Sequence, residues 1–180
     1  MKAIHITNGL LVIALLIGSF AAWPHLPANI PVHFGLSGQP DRVVDTSILS
    51  WFGLPLVAVA TTALTYTVAQ WLPSHPNLVN LPDKQQFLAL SSARKLPVIA
   101  RVQDMLYGVS ALVLVLFGSI QVMIYRVALG ESGEVYILAL LVLSFLMTPL
   151  MLGIWLPGIQ REVNRQRSAD ETDGTKAANM

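Results

Sequence analysis

Four long, predominantly apolar stretches set the pattern of this chain, running from about 4 to 22, 48 to 72, 105 to 125 and 135 to 156. Crossing a hydrocarbon layer of about 30 Å takes about 20 residues at a rise of ~1.5 Å each. All four stretches reach that length. The second lies inside a segment, 46–82, that contains no Lys, Arg, Asp or Glu. An unpaired backbone amide in lipid costs several kcal/mol, so each stretch is expected to be helical. The pattern therefore predicts an all-α fold, an integral membrane four-helix bundle over residues 1–160 with an extended external loop after the first span.

The connecting segments differ in kind. Residues 23–46 hold Pro24, Pro27, Pro31 and Pro40 together with Gly35 and Gly38, a spacing that forbids a regular helix. Ile30, Val32 and Phe34 alternate with Pro31 and His33, which predicts an extended segment entering a Gly35-Leu36-Ser37-Gly38 turn. A loop of this length without helix or strand is uncommon in compact domains and is often functional. Residues 73–104 open with Pro73, Pro76 and Pro82, then suggest a short helix capped by Asp83. Phe87, Leu88 and Leu90 beside Lys84 and Arg94 give that helix an interfacial character, resting on the lipid surface. Pro97 suits the first position of the third helix, with Arg101 and Asp104 at the water boundary. The charged tail, 161–180, has almost nothing apolar to pack and is expected to be largely disordered. No repeat of 20 to 50 residues is evident, so an inverted-repeat transporter is not supported.

Composition agrees with this picture. The 180 residues are 54% hydrophobic and 12% charged, with a mean hydropathy of +0.61, against about 25% charged in soluble domains. A net charge of +1 gives no basic excess for nucleic acid, and the absence of cysteine removes disulfides, thiolate metal sites and thiol nucleophiles. Where the cations lie is more informative than their sum. Nine of the eleven Lys and Arg fall in the N-terminus, the 73–104 loop and the tail, leaving Arg42 and Arg126 for the other side. Positive residues concentrate in cytoplasmic loops, so both termini are expected in the cytoplasm and the 23–46 loop outside. A second reading makes the first span a signal peptide cleaved after Ser19-Phe20-Ala21; its length and the Trp23-Pro24 anchor favour a retained span.

Candidate chemistry is sparse. No ionisable residue lies at the membrane centre. The polar residues there include Thr61 and Thr65, one turn apart on one face, and Gln121. Helix packing explains such residues; a polar permeation path, making the chain a small permease or transporter subunit, is the alternative. In the external loop His25, His33, Asp41 and Asp45 offer nitrogen and oxygen ligands, yet the histidines are eight residues apart in a proline-broken segment, unlike H-E-x-x-H. A metal-dependent envelope enzyme is thus the weakest reading. Ser37 lacks the G-x-S-x-G setting of a nucleophile elbow. The expectation is no enzyme, no catalytic residues, no metal and no cofactor, with the bilayer and a protein partner or a homo-oligomer as the partners.

The run Leu26-Pro27-x-x-Ile30-Pro31-Val32-His33-Phe34-x-x-x-Gly38-Gln39-Pro40-Asp41 resembles the signature of the bacterial membrane family called domain of unknown function 1648: a proline pair, a histidine followed by an aromatic, then Gly-x-Pro-Asp, just after a first membrane helix. The resemblance covers roughly 22–55. It implies that Pro31, His33, Gly38, Pro40 and Asp41 are the characteristic external motif, and that the chain resides in a bacterial plasma (inner) membrane. Some relatives are immunity proteins such as the Sdp immunity protein, which implies an immunity- or signalling-like binding role; most relatives have no assigned activity.

Overall fold

A computed structural model describes residues 2–178. Its elements are α1 (Lys2–Ala22), β1 (Asn29–Phe34), β2 (Pro40–Asp45), α2 (Ile48–Trp71), a short α3 (Lys84–Ala89), α4 (Ser92–Ala128) and α5 (Glu134–Ala178). Four of the helices, α1, α2, α4 and α5, are long and apolar enough to cross a membrane. Their positions cover the four apolar stretches of the sequence apart from Leu72, which lies just past the end of α2. The chain is an all-α membrane bundle with one β-hairpin.

The start of α2 is fixed locally. Ser47 adopts extended backbone and accepts from the Ser50 amide, while the Ser50 hydroxyl accepts from the Ser47 amide, a reciprocal capping box. Helix α4 is the shared spine, packing against α1, α2 and α5. Three apolar clusters follow its length. Beneath the hairpin, Ile30, Trp51 and Ile124 meet; midway, Leu15, Ala58 and Leu114; at the end that holds the termini, Phe87 and Leu90 join Val98, Ile99, Ile159 and Val163. The apolar half of α5 buries nothing and lies at the periphery, with Val135 and Phe145 about three-quarters exposed. In lipid such exposure carries no hydrophobic penalty, because acyl chains are as apolar as the side chains.

Three expectations change. Helix α3 does not rest on lipid through its apolar side: Phe87 and Leu90 are buried against α4 and α5, and Arg94 is paired with Asp173 and bonded to Gln166. Pro97 is not the first residue of α4, which begins five residues earlier at Ser92 and carries Pro97 inside. The tail is not a separate disordered region, since α5 runs unbroken past residue 160 to Ala178, with Pro149 and Pro157 inside it. Extending an existing helix costs far less than nucleating one, and specific ties hold this extension. Asp170 accepts from both the amide and the hydroxyl of Ser91, at the positive end of the α4 dipole, and Arg167 pairs with Glu171 one turn along. Asn179 and Met180, the last residues of that tail, lie outside the described residues.

At 45 residues and ~1.5 Å each, α5 spans about 67 Å, more than twice a hydrocarbon core. Its second half therefore extends past the apolar layer at the end where the chain begins, and there it packs on α3 and the first turns of α4 through Ile159 and Val163.

Candidate functional site

The proline-rich segment folds into an antiparallel hairpin. Asn29 faces Asp45, Ile30 faces Val44, Pro31 faces Val43 and Phe34 faces Pro40, with irregular register around His33. Both prolines of the motif sit in the strands, where the fixed φ suits extended backbone and the missing N–H is tolerated in a two-stranded ribbon. The base is closed by the Thr46 amide donating to the Ala28 carbonyl at 2.8 Å and the Thr46 hydroxyl donating to the Pro27 carbonyl at 2.6 Å. Asn29 donates to Asp45 at 2.9 Å.

The five motif residues come together with distinct tasks. His33 and Asp41 meet across the strands, imidazole Nδ1 donating to the carboxylate at 2.5 Å. Both side chains are mostly exposed, so the pair is worth less than ~1 kcal/mol and acts as a register pin more than a source of stability. Gly38 closes the turn through its amide to the Gly35 carbonyl, and the Gly35 amide reaches the Gln39 carbonyl. Its φ of +77° is left-handed, and a Cβ there would stand 2.5 Å from Glu134 N and Gly133 C. Glycine is thus required twice, by conformation and by the approach of the α4–α5 connection. Pro31 and Pro40 flank these contacts. At the tip Leu36 is 89% exposed.

Below, Ile30 is fully buried on Trp51 and Ile124. The Trp51 indole N–H donates to the Ser19 carbonyl at 2.9 Å, and Gln121 Nε2 donates to the Trp51 carbonyl at 3.2 Å. The hairpin, α1, α2 and α4 are fastened at one level. Gln121 is therefore a tie beneath the hairpin and does not join Thr61 and Thr65, which lie about 15 and about 21 Å beyond Trp51 along α2 at ~1.5 Å per residue. Thr62, Thr65 and Thr67 each return their hydroxyl to a carbonyl of their own helix. The three residues of the anticipated polar face thus occupy two separate places.

Of the loop's other candidate ligands, Asp45 is taken by Asn29, and among the described residues no group of three or more His, Asp or Glu gathers as a metal cage would. Ser37 sits in the turn.

Sequence reasoning passed over a second polar assembly at the opposite end. Asn8 is buried and donates to the Tyr66 hydroxyl and to the Tyr107 carbonyl, each at 3.0 Å; His5 Nδ1 shares a hydrogen bond with the same hydroxyl at 3.1 Å. The His5 and Tyr107 rings meet edge-on at 4.5 Å. This cluster ties α1 to α2 and α4. The signal was present in His5 and Asn8, three residues apart on one face of a largely apolar helix.

Residues 10–59 match the model of the family described as Domain of unknown function (DUF1648), a stretch that runs from within α1 through the hairpin into α2. No curated protein and no solved structure matches the chain, so nothing extends the likeness to the Sdp immunity protein.

Proposed function

We propose that this chain, with its DUF1648 segment at residues 10–59, is a non-enzymatic multi-pass protein of the bacterial plasma membrane whose hairpin is an external docking surface for an extended polypeptide. The termini and residues 72–91 then lie in the cytoplasm, in keeping with the nine cations on that side against two on the other. One observation carries the docking role. β1 packs on α4 and α2 through Ile30, whereas β2 is exposed along nearly its whole length and, among the described residues, pairs with no strand other than β1. A held strand with an open edge is the template that strand addition uses, main-chain bonds giving affinity and alternate side chains such as Val43 giving selectivity.

The test has two arms. Ser37→Cys should react with a membrane-impermeant maleimide on intact cells, and Ser168→Cys only after lysis. A photo-crosslinker at Val43 should give a discrete adduct in cells that is lost in the His33→Ala, Asp41→Ala double variant. Reaction at position 37 only after lysis would sink the orientation; no adduct at Val43, with normal membrane insertion, would sink the docking role.

A further inference from the structure

A small cleft of about 150 Å³ opens between α4 and α5 at the end of the bundle that holds the termini, walled by Arg101, Ile154, Trp155, Gly158 and Ile159. Arg101 is exposed and makes no ion pair or side-chain hydrogen bond among the described residues, whereas Arg94, Arg126 and Arg167 are each paired with a carboxylate. Gly158 leaves the cleft open, since a Cβ there would meet nothing within 4 Å. Arg161 and Arg165 follow Gly158 at i+3 and i+7, share its side of α5 and are exposed. The nearby carboxylates are occupied or apart: Glu162 accepts from Gln166 and only brushes Arg165 at 3.9 Å, and Asp104 is not within ion-pair distance of Arg101. The cleft also has a defined level. Ile154 and Trp155 lie in the last turn of the apolar run of α5, which ends at Leu156, and the first charge follows at Arg161, so apolar wall and free cation meet at the hydrocarbon–headgroup boundary.

We infer that this cleft binds the phosphate headgroup of an anionic phospholipid. The Arg101 guanidinium presents two parallel donors to the phosphate oxygens, Arg161 and Arg165 supply further positive field, and the acyl chain runs along Ile154 and Trp155. The apolar side of α3 and Arg94 are consumed by contacts within the protein, whereas Arg101, on the cleft wall, is unpaired among the described residues. The inference rests on the membrane reading of the bundle.

Full-length protein purified from membranes, reconstituted in vesicles of phosphatidylcholine with a minority of phosphatidylglycerol and then released into mild detergent, should retain phosphatidylglycerol in preference to phosphatidylcholine by native mass spectrometry. Arg101→Gln should lower that preference about five-fold, the effect of one cation near a charged surface, and Arg101→Lys should restore part of it. Gly158→Leu, which fills the cleft and keeps every charge, should abolish the preference too, and it carries the test if Arg101→Gln fails to fold. Arg42→Gln, at the other end, should change nothing. Equal retention of both lipids, a preference untouched by Arg101→Gln and Gly158→Leu, or equal displacement by inorganic phosphate, which would mark a free-anion site, overturns the inference. Failure of the chain to partition into vesicles at all would instead sink the membrane reading.

Discussion

Replacing Gly38 by alanine isolates what holds the hairpin over the bundle. A non-glycine residue in left-handed backbone costs roughly 1–2 kcal/mol, and φ at this position is +77°. The new Cβ would also stand 2.5 Å from Glu134 N and Gly133 C, where a relaxed carbon contact needs about 3.5 Å or more. The turn and the α4–α5 connection must separate by about 1 Å, an overpacking cost of roughly 1–3 kcal/mol. The hairpin should therefore lose at least about 2 kcal/mol of local stability. Hydrogen exchange at the Thr46 amide, which donates to Ala28 across the hairpin base, reads that loss. With tenfold per ~1.4 kcal/mol, it should speed up at least about thirty-fold. Gly35→Ala is the matched control, because its Cβ would have nothing closer than 3.8 Å and its φ is not left-handed; exchange should change less than about threefold. If Gly38→Ala left Thr46 exchange within threefold of the parent, the reasoning that couples turn conformation to the α4–α5 connection would be wrong.

Asn8→Leu removes two interhelical hydrogen bonds and should destabilise the bundle by about 1–3 kcal/mol in unfolding from mixed micelles; an unchanged midpoint would show that the cluster is not a tie. Trp51→Phe keeps the packing under Ile30 but leaves the Ser19 carbonyl without its indole donor, a loss of about 1–2 kcal/mol on the same titration. Asp170→Ala removes the acceptor for the Ser91 amide and hydroxyl. Exchange over the first turn of α4 should then rise about five-fold, the effect of losing a helix cap worth ~1 kcal/mol, while the hairpin stays unaffected.

The four membrane helices were legible because a run of 20 apolar residues has few other solutions, and the strand and turn of the hairpin were legible because Pro31, Pro40 and Gly38 restrict backbone wherever they sit. What escaped depends on partners far away in the chain. Hydropathy shows that Phe87 and Leu90 avoid water but not whether lipid or protein shields them; Ile159 and Val163, some 70 residues on, decide it. The continuation of α5 past residue 160 rests in the same way on Ser91 and Arg94, each 79 residues from its acidic partner. Gln121 and Thr61 share a residue class without sharing a place, since only the fold says which carbonyl the amide meets. In the motif, the lasting surprise is Gly38: its turn geometry was readable, its second constraint by Gly133 was not.

Helix α5 begins against the tip of the hairpin and, 36 residues later, closes over the first turn of α4 through Asp170. The two closures lie about 54 Å apart at ~1.5 Å per residue, yet one continuous element supplies both. Synthesis runs from the N-terminus, so the hairpin and the head of α4 exist before either is sealed. Maturation of both faces of the bundle is thus deferred to a single late insertion event, and a chain stalled before Glu134 would sit in the bilayer with its two ends still ajar.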